Sequence, residues 1–75
     1  MKVFVLNVNK VIFEDDADNV VLPGRDGEFG VLDLHEDFLY RLRKGIVKIN
    51  NAFSLSIEDG VARMQNNKLV VLVEL

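Results

Sequence analysis

The stretch FSLSIE, residues 53–58, alternates apolar and polar side chains: Phe53, Leu55 and Ile57 are apolar, and a polar residue follows each of them. Successive side chains of a β-strand point to opposite faces, so this pattern predicts a strand with one buried face. Short runs rich in β-branched residues recur along the whole chain, at residues 2–8, 10–13, 19–22, 29–32, 45–49, 61–64 and 68–73. Together they predict an all-β protein of about eight to ten short strands.

The breaks between these runs carry turn residues. The pairs Asn50-Asn51 and Asn66-Asn67 favour hairpin turns, because asparagine tolerates a positive φ better than most residues. Many short strands joined by frequent turns are typical of a small antiparallel two-layer β-sandwich. Only residues 34–44 have apolar side chains at helical spacing, and this is the one segment for which we expect a possible helix.

Length and composition restrict the class of protein. Seventy-five residues are enough for a single domain, predicted over residues 1–75, and without cysteine its core must be held by packing alone. A net charge of −3 argues against a nucleic-acid partner, since phosphate binding needs a basic surface. No apolar run is long enough to cross a bilayer, so we expect no direct insertion into lipid.

Two of the predicted strands are apolar on both faces. Residues 69–73 read LVVLV and residues 3–6 read VFVL, so alternation cannot hide all of these side chains in one core. Apolar residues on the outer face of a sandwich indicate a further layer or a partner surface.

The segment LPGRDGEFGVLDLHEDFL, residues 22–39, contains Gly24, Gly27 and Gly30 at three-residue spacing. A phosphate loop is not expected here, because a strand-like run follows instead of a helix and because acidic residues in the loop would repel an anion. We predict that the three glycines form turns, with Gly24 and Gly27 at positive φ.

The same segment carries the only histidine of the chain, between acidic residues. Asp33, His35, Glu36 and Asp37 offer oxygen and imidazole ligands, but residues adjacent on a strand face opposite ways. A solvated acidic loop is therefore the favoured interpretation, and a small metal-dependent enzyme built on Asp33, His35 and Asp37 stays open as an alternative. No nucleophile with a neighbouring base is recognisable, and no cofactor is expected.

The residues of this segment resemble a known family. VVLPGRDGEFGVLDLHEDFL, residues 20–39, followed by KGIVKI, residues 44–49, resembles the amino-terminal domain of the epsilon subunit of F-type ATP synthase. The family pattern contains G-x-x-G-x-[FL]-G-[VI]-[LY]-P-G-H and, further on, P-G-x-[VI]-x-[IV]. The matching residues are Gly24, Gly27, Glu28, Phe29, Gly30, Val31, Leu32, His35, Leu39, Gly45, Val47 and Ile49.

The resemblance implies a non-catalytic subunit of the central stalk, docked to the gamma subunit and to the ring of c subunits, that couples proton translocation to ATP synthesis. In a bacterium it would lie peripherally on the cytoplasmic side of the inner membrane. By the same resemblance the loop facing the c ring consists of Arg25, Asp26, Gly27, Glu28 and Phe29. The residues facing gamma are Asn7, His35 and Tyr40.

The sequence also departs from the family pattern. The usual P-G before the histidine is Asp33-Leu34, and the usual A-P after it is Glu36-Asp37. The hairpin at Asn50-Asn51 is shorter than usual, and the carboxy-terminal helical hairpin of typical members is missing, so we expect no inhibition of ATP hydrolysis. The alternatives of similar size are a biotinyl or lipoyl carrier domain, although no lysine has the setting of a carrier lysine, or another small β-sandwich interaction module.

Overall fold

The computed structural model describes all 75 residues. They form nine β-strands joined by turns and loops, and no helix. No helix is therefore available that would be long and apolar enough to span a membrane. The strands are β1 (Lys2–Leu6), β2 (Val11–Asp16), β3 (Asn19–Gly24), β4 (Gly27–Leu32), β5 (Phe38–Leu42), β6 (Gly45–Ile49), β7 (Phe53–Ile57), β8 (Asp59–Gln65) and β9 (Lys68–Glu74). The all-β prediction is confirmed.

The nine strands form one sheet that curls into two layers. Strands β2, β1, β9, β8 and β5 follow one another in the first layer, here called sheet I, and β4, β3, β6 and β7 form the second, sheet II. The layers are joined where Gly24 of β3 pairs with Leu42 of β5. All neighbours are antiparallel except β1 and β9, which run parallel in the middle of sheet I. These are the first and last strands, so no hairpin determines their relative direction.

The core lies between the layers and is entirely apolar. Alternate residues point inward, as in β9, where Leu69, Val71 and Val73 are buried and the residues between them are not. Sixteen apolar residues form one buried cluster, and no polar or charged residue is buried. Apolar packing is therefore the main source of stability in the core, at roughly 1.5–3 kcal/mol for each buried valine, leucine or isoleucine side chain.

The two asparagine pairs form turns as predicted. Asn50 and Asn51, between β6 and β7, have φ of 52° and 55°, and Asn66 and Asn67, between β8 and β9, have φ of 52° and 58°. Positive φ at both central residues matches the right-handed twist of the flanking strands. The turn chemistry of the sequence thus sets these two hairpins.

The possible helix at residues 34–44 is wrong. Residues 38–42 form β5, which pairs with β8 from Phe38 opposite Met64 to Leu42 opposite Gly60. On this strand Phe38, Tyr40 and Leu42 share the inner side, whereas Leu39 points outward and is 68% exposed. The backbone of β8 provides hydrogen-bond partners along the whole length of β5, and the local spacing of apolar residues cannot indicate such a distant partner.

Candidate interaction surfaces

The β3–β4 hairpin carries the loop predicted to face the c ring. Arg25 and Asp26 form its turn, and Gly24 pairs with Gly27 on either side of them. Arg25 and Asp26 are exposed, as is Glu28 on β4. The backbone N–H of Arg25 donates to the carbonyl oxygen of Arg41 at 3.0 Å, which ties the turn to β5. The tip therefore presents charged side chains on a fixed backbone.

The three glycines of this region have different roles. Gly27 has a φ of 138°, a conformation that side chains rarely adopt, so the prediction of positive φ holds there. Gly24 does not have positive φ, contrary to prediction; a Cβ at this position would lie 2.6 Å from the carbonyl oxygen of Gly27 and 2.7 Å from the Phe29 ring. Gly30 lies within β4 opposite Val21 and forms no turn. Sequence spacing alone does not distinguish a strained backbone from a close contact.

Phe29 points away from the hairpin tip into an aromatic cluster. Its ring centroid lies 5.8 Å from that of Phe38 and 5.2 Å from that of Tyr40, in both cases nearly edge to face. The His35 ring packs on Phe38 in the same way, at 5.3 Å. Edge-to-face contacts are favourable for aromatic rings. Phe29 thus anchors the hairpin to β5, while its charged neighbours remain exposed.

An open groove of about 550 Å³ lies between the hairpin and β5. It is lined by residues 24–30 on one side and by His35, Glu36, Tyr40 and Arg41 on the other. Two residues predicted to face gamma, His35 and Tyr40, therefore lie beside the loop predicted to face the c ring. Any two partners that bind these residues must approach each other at this groove.

Asn7, the third residue predicted to face gamma, lies at the opposite end of β1 from His35 and three strands away from Tyr40. His35 lies near the start of β1. The start of β1 pairs with the start of β9, and Asn67, just before β9, accepts a hydrogen bond from the N–H of Leu34, next to His35. Asn7 instead follows β1, where its side-chain oxygen accepts from the N–H groups of Asn9 and Lys10 at 2.8 and 2.9 Å. The five residues of β1 separate these ends by roughly 16 Å. The structure does not bring Asn7 together with His35 and Tyr40.

The outer face of sheet I has an apolar patch on β1, β2 and β9, with charged residues such as Arg63 and Arg41 beside it on β8 and β5. Its strand pairing sets the side chains in rows: Leu6 lies between Val11 and Leu72, and Phe4 lies between Glu14 and Val70. Val11 is 52% exposed and Leu72 is 44% exposed. The outer face of sheet II is more polar and includes the exposed residues Glu28, Lys48, Ser54 and Ser56. The outward-facing apolar residues expected from LVVLV and VFVL thus lie together on sheet I, and no other layer of these 75 residues covers them.

Asp33 binds the amino terminus, a role that the sequence did not indicate. Its carboxylate accepts from the Met1 ammonium group at 2.6 Å and from the side-chain amide of Asn67 at 2.9 Å. These interactions, the hydrogen bond from the ammonium group first, lower the pKa of Asp33 below its ordinary value. The network joins the start of β1, the end of β4 and the β8–β9 turn.

Leu34 occupies the position of the glycine in the family pattern and has a backbone conformation that glycine adopts easily. Its φ is 64°, in the left-handed region, and its side chain is 79% exposed. A leucine in this conformation is strained by roughly 1–2 kcal/mol. At this departure from the family pattern the chain therefore places a strained, exposed leucine after Asp33.

The acidic residues around His35 have separate partners. Asp33 binds Met1 and Asn67, Asp37 accepts from the backbone N–H of Asn66 at 3.2 Å, and Nδ1 of His35 lies 2.8 Å from the carbonyl oxygen of Glu36. No group of three histidine, cysteine, aspartate or glutamate residues is placed to hold a metal ion. The geometry offers no support for a metal-dependent enzyme at this segment.

A second ion pair lies on the outer face of sheet I, between β5 and β8. Nη2 of Arg41 lies 3.1 Å from a carboxylate oxygen of Asp59. The hydrogen bond from Arg41 is the largest of the interactions that lower the pKa of Asp59. The side chains of Arg41 and Asp59 are 60% and 39% exposed, so the pair orients Arg41 at the rim of the groove more than it stabilises the fold.

Two sequence relatives of this chain are ATP synthase epsilon chains. The chain is 41% identical over 68 residues to the ATP synthase epsilon chain of Campylobacter fetus, covering 85% of this chain and 53% of that protein. It is 35% identical over 78 residues to the ATP synthase epsilon chain of Sulfurovum sp., covering 99% of this chain and 61% of that protein. The chain therefore spans between half and two thirds of the length of these relatives.

Solved structures share the fold. The central stalk and c-ring structure of the Tetrahymena thermophila mitochondrial ATP synthase contains a chain that superposes with a TM-score of 0.86 at 14% identity, covering 99% of this chain and 63% of that one. A chain of the Euglena gracilis mitochondrial ATP synthase superposes with a TM-score of 0.82 at 18% identity, covering 95% and 48%. The model of the ATP synthase delta/epsilon chain β-sandwich domain matches residues 1–75, and the chain belongs to this family.

Proposed function

We propose that this chain is a non-catalytic component of the central stalk of an F-type ATP synthase, where it docks to the gamma subunit and to the c ring. In this position it helps to couple proton translocation to ATP synthesis. The observation that carries the proposal is the family match over all 75 residues. In a bacterium the chain would be peripheral to the inner membrane, on its cytoplasmic side.

The tip of the β3–β4 hairpin contacts the c ring in this proposal. Arg25, Asp26 and Glu28 are exposed, so they can make polar contacts without displacing core residues. The backbone bond to Arg41 and the aromatic packing of Phe29 hold the tip in place. A contact that transmits rotation needs this rigidity more than it needs chemistry.

The gamma subunit covers the outer face of sheet I in this proposal. Tyr40, on β5, and His35, just before it, line the groove at one side of sheet I, and Asn7 follows the far end of β1, so one partner that contacts all three must reach from the groove over the outer face of this sheet. This is the apolar face, with Phe4, Leu6, Val70 and Leu72 among its residues. Burying such a face suits a permanent partner.

These 75 residues supply docking and not inhibition in this proposal. They contain no helix, and their strands are all part of the sandwich. No segment among them is available to extend toward a catalytic subunit. Added to an enzyme depleted of its epsilon chain, they are expected to leave ATP hydrolysis uninhibited.

A pull-down from solubilised native membranes tests the docking. Tagged wild-type chain should recover both gamma and c subunits. Leu72→Lys, on the outer face of sheet I, should reduce the recovery of gamma, whereas Ile46→Lys, on the outer face of sheet II, should not. The two side chains are a matched pair, since they are 44% and 45% exposed. Recovery of neither subunit by the wild-type chain would contradict the proposed function.

A further inference from the structure

The outward-facing residues of β9 have a self-complementary order. From one end of the strand to the other they are Lys68, Val70, Leu72 and Glu74. A basic residue and an acidic residue thus flank two apolar ones, about 20 Å apart along the strand. None of the three ion pairs within the chain involves Lys68 or Glu74.

From this order we infer that, when no other partner covers it, the outer face of sheet I pairs with the same face of a second copy of this chain. Two copies related by a two-fold axis perpendicular to the strands have their β9 strands antiparallel. Lys68 then lies over Glu74 of the second copy, and Val70 lies over Leu72. Because the interface is isologous, each of these contacts occurs twice.

Charge selects this arrangement over the other two-fold arrangement of the same faces. An axis along the strands would make the two β9 strands parallel and place Lys68 near Lys68 of the second copy. Lys2 would add to the repulsion, because it pairs with Lys68 in the sheet and both ammonium groups lie near the Phe4 ring. Like charges brought together at an interface disfavour association.

The neighbouring strand extends the apolar part of the contact. Phe4 and Leu6 of β1 lie beside Val70 and Leu72, and in the antiparallel arrangement Phe4 lies over Leu6 of the second copy. Face-to-face sheets pack about 10 Å apart, which suits side chains of this size. No backbone rearrangement is needed, since these residues already point outward.

The area of the face sets the strength of the pairing. The five strands of sheet I give a flat footprint of roughly 300–400 Å² per copy, against about 800 Å² per partner in a standard stable interface. The dimer is therefore weak and dissociates on dilution. Weak pairing covers the apolar face of the free chain and still allows a larger partner to displace the second copy.

Sedimentation equilibrium of the 75-residue chain over a range of concentrations tests the inference. The chain has its own closed core, so it can be studied alone. The average mass should rise from 8.5 kDa toward twice that value as concentration increases. Lys68→Glu and Glu74→Lys should each weaken association roughly tenfold, because each turns two attractive contacts into repulsive ones. The double variant Lys68→Glu/Glu74→Lys should restore it.

A matched control and two outcomes complete the test. Lys48→Glu makes the same charge change on the outer face of sheet II and should leave association unchanged. Circular dichroism and urea unfolding check that each variant is folded. A wild-type chain that stays monomeric at every concentration would overturn the inference, even if gamma binds the face. Single reversals without effect, or an equal effect of Lys48→Glu, would also overturn it.

Discussion

Substituting Gly27 by valine tests whether the hairpin depends on a backbone conformation that side chains rarely adopt. The φ of Gly27 is 138°, and a Cβ built there meets no atom within 4 Å. The added Cβ itself therefore meets no neighbouring atom, and the expected cost comes mainly from the residue's own backbone conformation. Conformations of this kind cost a residue with a side chain roughly 1–3 kcal/mol.

The expected magnitude includes the unfolded state. Replacing glycine restricts the unfolded chain and recovers roughly 0.4–1 kcal/mol. Gly27→Val should therefore lower the free energy of unfolding by about 1–2 kcal/mol. For a domain of this size each kcal/mol corresponds to roughly 4–8 °C in melting temperature.

Gly30→Val is the matched control. Gly30 lies on the same strand, a Cβ there also meets no atom within 4 Å, and its φ is not positive. Valine is favoured in strands, so this variant should be as stable as the wild type or more stable. Urea unfolding followed by far-ultraviolet circular dichroism suits a chain without tryptophan. Equal stability of the two variants would refute the argument from φ.

Three further variants test other residues. Glu28→Lys should change stability by less than about 0.5 kcal/mol, because the side chain is exposed, but should reduce recovery of the c ring; unchanged recovery would remove Glu28 from the contact. Leu34→Gly should raise the free energy of unfolding in urea by about 0.5–1 kcal/mol, since it relieves strain at φ 64° but frees the unfolded chain; a loss of stability would show that the leucine side chain matters more. The lowered pKa of Asp33 means that its bond to Met1 stabilises the fold fully above the ordinary value of 3.8 and is lost as pH falls through the lowered value. Asp33→Asn should therefore lose less stability on acidification than the wild type, although Asp59 still contributes to the loss in both proteins. If the free energy of unfolding fell equally with pH in the two proteins, the role assigned to Asp33 would be contradicted.

The interaction surfaces were only partly recognisable from the sequence. The glycine-rich loop and its exposed charges were identifiable, because turn residues and charges are local features. The inward orientation of the Phe29 ring could not be predicted from the sequence, since the ring packs on Phe38 and Tyr40, which lie in another part of the chain. The family resemblance assigned both Asn7 and His35 to the side facing gamma, yet they lie at opposite ends of β1. Their separation depends on strand order, which no short motif contains.

The sequence by itself determined the features that depend on neighbouring residues. Alternation placed Phe53, Leu55 and Ile57 on one face of β7, and the asparagine pairs set two hairpins at positive φ. Each of these signals acts within a few residues, where backbone sterics and side-chain direction are decisive.

Only the tertiary structure decided the features that depend on distant residues. Residues 38–42 became a strand because β8 supplied hydrogen-bond partners, although their spacing also fitted a helix. Strand β1 runs parallel to β9, and Asp33 binds Met1, because the fold brings together segments far apart in the chain. Such contacts form only when burial of the shared core offsets the entropy of closing the chain between them, and that balance belongs to the whole domain.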